Sequence, residues 1–134
     1  MRFAKVVFVG GGIWGFAIVT PLYFLRHTVV QQHPSLATDP AFFYSFLAVT
    51  MAWQLAFLVI GFDPVRLRNL MIPAMVEKFG YVLTISVLWV GGQMPPSEAL
   101  LAVPDCALGV LFMVAFAKVR AASVTVLPSR TVKV

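Results

Sequence analysis

The sequence predicts an all-α membrane protein, a four-transmembrane-helix bundle with both termini in the cytoplasm (N-in, C-in). Three observations carry that expectation. First, 60% of the 134 residues are hydrophobic and only 11% are charged, with a mean hydropathy of +0.92, whereas an ordinary soluble domain is about 25% charged. So few charges cannot cover a water-facing surface, and with lipid as solvent every backbone polar group must be satisfied inside helices or a closed barrel. Second, the apolar runs are continuous rather than alternating, which excludes barrel strands. Four of them, Val6 to Leu25, Ala41 to Phe62, Leu70 to Val90 and Ala99 to Ala117, approach the roughly 20 residues that cross a hydrocarbon core of about 30 Å. Third, Arg2, Lys5, Arg66, Arg68, Lys118, Arg120, Arg130 and Lys133 fall on one side of a four-pass chain and only Arg26 on the other. The positive-inside tendency places the first side in the cytoplasm and the protein in an inner membrane.

The first helix contains VVFVGGGIWGFAIV, in which Gly10, Gly12 and Gly15 match the dinucleotide-binding spacing G-x-G-x-x-G. That reading fails, because the fold also needs a second strand ending in an acidic residue about 20 positions on. Here that distance falls in RHTVVQQHPSLATDP, with Asp39 too late. What remains is the pair Gly11 and Gly15, one turn apart, which suits close approach of another helix. The apolar run continues through TPLYFL without an A-x-A cleavage site, so it is expected to stay as a helix rather than to be a signal peptide.

The loop that follows holds His27, His33 and Asp39, whose spacing fits no zinc or haem pattern, so a solvated loop without metal is expected. Tyr23, Phe42, Phe43, Tyr44 and Trp89 gather at the outer interface, where amphipathic rings sit. Asp63 and Ser97 are expected N-caps, and Pro64 suits a first helical turn. The first and second helices, and the third and fourth, are expected to pair as hairpins. One domain, residues 1–120, then carries a basic cytoplasmic tail, residues 121–134.

Several function classes drop out. The single Cys106 excludes an intrachain disulfide and a C-x-x-C redox pair. The net charge of +5 is not clustered with aromatics as a nucleic-acid surface requires. No Ser/His/Asp set or close carboxylate pair can be assembled, so neither hydrolytic catalysis nor a cofactor is expected.

Intramembrane ionisable groups are functional candidates by default, since Asp, Lys or Arg at the bilayer centre costs at least about 2.5 kcal/mol. Asp105 is the most firmly embedded, with too few apolar residues after it to span again. It is expected as a neutral acid, beside Pro104, which frees the carbonyl of Leu100. Glu77 and Lys78 are expected at the cytoplasmic headgroup level, with LMIPAMV as an interfacial turn kinked at Pro73. Depth counting puts Thr20 and Thr84 level with Asp105, and Gln54 level with Glu77 and Lys78. The two polar layers then stand roughly 10 Å apart, and Lys78 meets Asp105 only if it points away from the nearer surface.

The segment FFYSFLAVTMAWQLAFLVIGFDPVRLRNLMIPAMVEKFGYVL, with PDCALGVLFMVAF after it, resembles a group of small bacterial four-helix membrane proteins without an assigned activity. Their pattern is an aromatic start to the second helix, a D-P-x-R-x-R-x-L-M loop and an E-K pair entering the third. The resemblance covers the last three helices and implies topology, not mechanism. It also directs attention to Asp63, Arg66, Arg68, Glu77 and Lys78 as an ion-paired elbow at the cytoplasmic side.

Together these readings give the expectation of a non-enzymatic accessory subunit, bound by lipids and by a further copy or a larger membrane complex through its glycine face. The alternative is a small proton- or cation-coupled transporter using an intramembrane carboxylate. It binds no nucleotide and no nucleic acid.

Overall fold

The computed structural model describes residues 1–125, and among these every regular element is helical. Four long helices, α1 (Arg2–Leu22), α4 (Pro40–Phe62), α5 (Met71–Val90) and α7 (Val103–Thr125), are joined by short ones, α2 (Arg26–Gln32), α3 (Pro34–Ala37) and α6 (Pro96–Ala99). Stretches Arg2–Leu22, Pro40–Phe62, Arg68–Val90 and Pro96–Ser123 are long and apolar enough to cross a membrane. Only between 22% and 33% of each apolar window is buried, so most of these side chains point outward, as a lipid-solvated chain requires.

The boundaries differ from expectation in places that matter. α1 begins at Arg2 and stops at Leu22, one residue beyond Pro21, which has no amide hydrogen to continue the ladder. The fourth span starts at Pro96 rather than Ala99, and its helix runs on to Thr125, so residues 121–125 are helical. Arg130 and Lys133 lie outside the described residues. Pro73 falls in the first turn of α5, where its missing N–H has no intrahelical acceptor to lose, so LMIPAMV is continuous helix and not an interfacial turn. Ser97 lies inside α6, whose cap position is Pro95. Asp39, considered above as a metal-type side chain, caps α4 by accepting from the amides of Ala41 at 2.8 Å and Phe42 at 3.1 Å.

α1 packs along α4 and α5 along α7, so the bundle is two helical hairpins. In the first, the helices come close because glycines interlock. A Cβ on Gly12 would stand 3.0 Å from the Gln54 carbonyl oxygen, and one on Gly61 would stand 2.6 Å from Val9 Cγ2 and 3.0 Å from the Val9 amide nitrogen.

The core divides unevenly. At the end bearing Arg2, Arg66 and Lys118, one cluster unites all four long helices: Ala4, Val7 and Phe8, then Phe57 and Ile60, then Met71 and Ala74, then Phe112, Ala115 and Val119. Phe8, Phe57 and Phe112 form its centre, with Phe8 and Phe112 stacked at 4.2 Å between centroids and Phe57 edge-on to Phe112 at 4.8 Å. At the opposite end the hairpins keep separate clusters, Val19, Ala37, Phe43 and Leu47 in one and Ile85, Met94 and Ala102 in the other. Phe43 therefore turns inward, unlike the exposed Phe42 and Trp89 of the expected aromatic belt.

Candidate intramembrane site

Between the shared core and the divided end lies an ionic cluster around the buried Lys78, with Glu77 and Asp105 partly buried beside it. Lys78 stands seven positions into α5, about 10 Å from its start at about 1.5 Å per residue, and it is 4% exposed. Its ammonium contacts Asp105 Oδ1 at 2.5 Å and Glu77 Oε2 at 3.2 Å. It also lies 5.2 Å from the centroid of the Phe57 ring, a cation–π placement.

Local structure explains the assembly. Glu77 and Lys78 are consecutive on a helix, hence about 100° apart, so Lys78 points into the bundle while Glu77 occupies its flank. Gly109 of α7 has no side chain to obstruct them: a Cβ there would stand 3.3 Å from Lys78 Cβ and 3.0 Å from the Phe79 ring. α7 carries Asp105 on the inward stripe that also holds Glu98, Ala102, Gly109 and Phe112. The backbone break near Pro104 is a 3₁₀ turn, Leu100–Ala102, and the Leu100 carbonyl is taken by the Val103 amide rather than left free.

These positions correct the depth reading. Asp105 is not in a layer separate from Glu77 and Lys78: the Lys78 ammonium reaches it. Counting from Ala99 and Leu70 separated them. The fourth span starts three residues earlier, which carries Asp105 deeper, and the Lys78 chain follows the charge rather than the nearer surface. Thr20 and Thr84 are exposed on the outer faces of their helices, and the Thr84 hydroxyl donates to the Gly80 carbonyl at 2.8 Å. Gln54 is buried but turned toward α1: its amide donates to the Thr50 carbonyl at 3.1 Å, and its Oε1 occupies the space that a Cβ on Gly15 would need. Gly11 faces the Phe112 ring, at 3.3 Å from its would-be Cβ. Both glycines thus meet helices of this same chain.

The expected elbow of Asp63, Arg66 and Arg68 is not ion-paired. Asp63 Oδ1 accepts from the Arg66 backbone amide at 3.2 Å; the Lys or Arg ion pairs among the described residues are Lys78 with Glu77 and Lys78 with Asp105, and His33 stands close to Glu98. That last pair went unread in the sequence. Glu98 is 2% exposed, and its Oε1 lies 3.8 Å from His33 Nδ1 at the end of α2, which ties the loop of one hairpin to the turn of the other. The signal was present: Asp105 stands seven positions after Glu98, two helical turns along one face. His27 is exposed.

No family model, curated protein or solved structure matches this chain.

Proposed function

We propose that this chain is a small proton-binding membrane carrier, in which Glu77, Lys78 and Asp105 take up and release one proton inside the bundle. The observation that carries the reading is the count of charges in one contact set: two carboxyl groups share a single ammonium, and the ammonium is almost wholly buried. Fully ionised, the set holds one net negative charge within the apolar span, a costly condition. One added proton makes it neutral, so the cluster exchanges charge with protonation and Lys78 is free to bias which carboxyl holds the proton.

The proposal includes orientation. The basic residues at the shared-core end argue for both termini on the cytoplasmic side of an inner membrane. The accessory-subunit expectation rested on the lack of a complete catalytic set beside a small-residue interface; Gly11, Gly12 and Gly15 all meet side chains of α4 or α7, so these glycines support the bundle itself. The strong charge bias also argues against an antiparallel dimer like those of small dual-orientation multidrug carriers.

Infrared difference spectra of the protein in lipid bilayers, taken between acidic and alkaline buffer, provide the test. A protonated-carboxyl C=O band that disappears on alkalisation, and is absent from the double variant Glu77→Gln/Asp105→Asn, is the expected result. Spectra identical in wild type and double variant would remove the reading.

A further inference from the structure

We infer that protons reach this cluster from the end opposite the basic residues, through His33, Glu98 and Tyr81. The inference rests on the proton-binding reading above and adds its route and sidedness.

The two directions away from Lys78 differ in kind. Toward the basic end lie Phe8, Phe57, Phe112, Ile60, Met71, Ala74 and Ala115, each at 0% exposure. That layer joins all four long helices and offers no side chain able to accept or donate a proton. Toward the other end the hairpins keep two separate apolar clusters, and the titratable side chains His33, Glu98 and Tyr81 lie at this end. His33 is 27% exposed, in reach of solvent, with Nδ1 facing Glu98. Glu98 shares the inward stripe of the fourth span with Asp105, about 11 Å further along the axis at about 1.5 Å per residue.

That interval is too long for one transfer, which needs heavy atoms about 2.6–3.2 Å apart or one bridging water. α5 supplies the intermediate. Tyr81, one turn beyond Lys78, packs against the Ile85, Met94 and Ala102 cluster, and Ala102 lies between Glu98 and Asp105 on the stripe. Its ring is held on the other side by Phe46, with centroids 6.3 Å apart.

The transfer balances at each step. Imidazolium His33 gives its Nδ1 proton through one bridging water to the Glu98 carboxylate, 3.8 Å away, and becomes neutral, and solvent reprotonates the ring. The Glu98 carboxyl then gives its proton to the Tyr81 oxygen, directly or through water, as the Tyr81 hydroxyl proton passes to Asp105. Tyr81 ends as a phenol, and the cluster has gained one proton. The other charged or titratable side chains at this end are Arg26 and His27 on α2 and Asp39 at the start of α4, with Tyr23 and Tyr44 stacked on each other at 6.1 Å. Arg26 is occupied with the Thr38 carbonyl at 2.8 Å and Asp39 with its capping bonds.

A pH jump applied to the protein in lipid nanodiscs, followed by time-resolved infrared absorption of the protonated carboxyl, tests the route. Tyr81→Phe and Glu98→Gln are expected to slow the rise of the band at least about tenfold while leaving its final amplitude unchanged, which also shows that each variant is folded. Asp63→Asn, at the basic end, is expected to leave the rate unaltered. Wild-type rates in both Tyr81→Phe and Glu98→Gln would overturn the route and leave the proton-binding reading standing. Absence of the band from the wild type itself would overturn both.

Discussion

Replacement of Lys78 by Met is expected to be the most destabilising single change in the protein. It removes the only cation from a contact set that keeps two carboxyl groups, and removing one partner of a buried pair costs about 3–5 kcal/mol because the other charge is left uncompensated. The same change combined with Glu77→Gln and Asp105→Asn is expected to recover most of that loss, since no buried charge remains and Met fills the space of the lysine stem. Reversible unfolding in mixed detergent micelles measures both. Equal loss in the single and triple variants would mean that Lys78 acts through packing over Phe57 and not through its charge.

The second large effect is expected at Gly61. Its would-be Cβ meets the Val9 side chain and, at 3.0 Å, the Val9 amide nitrogen, so the obstruction is partly backbone and cannot be relieved by a rotamer change. Gly61→Leu is expected to wedge α1 from α4 and cost about 1–3 kcal/mol or more, the range for overpacking a dense interior. Gly10 is the internal control. Nothing lies within 4 Å of its would-be Cβ, so Gly10→Ala should be neutral or stabilising by up to about 1 kcal/mol through helix propensity. Comparable destabilisation at both positions would contradict the interlocked packing of α1 on α4.

The contrast between these glycines shows what the sequence could convey. Spacing marked the run around Gly10 to Gly15 as a packing surface, because close helix approach is a local property of small residues at helical intervals. It did not reveal that Gly12 and Gly61 face each other's helices, which depends on how two distant segments rotate when they pair. The four helical spans were legible for a simpler reason: solvation by lipid demands long uninterrupted apolar runs, and each run is visible in one stretch of chain.

The site was legible only in its parts. Glu77, Lys78 and Asp105 stood out as charges among apolar residues, but their meeting was hidden by a three-residue difference in where the fourth span begins, with Pro96 rather than Ala99 opening it. The rise per residue converts that small boundary difference into about one helical turn of depth. Lys78 was also expected to snorkel toward the nearer surface. Two carboxylates within 3.2 Å of its nitrogen decide otherwise. Glu98 was missed because its neighbours PP and Ser97 read as a turn at the surface, whereas it is buried and faces His33, a residue sixty-five positions earlier in the chain.

Solid-state NMR of the protein in lipid bilayers, with ¹⁵N-labelled lysine and ¹³C-labelled aspartate and glutamate side chains, reads the protonation of all three groups at once. The predicted result at neutral pH is a Lys78 ammonium in contact with one ionised and one protonated carboxyl, with that one carboxyl proton leaving as the pH is raised while the fold persists. Two ionised carboxyls at every pH at which the protein is folded, or a Lys78 nitrogen with no carboxyl contact, would contradict it.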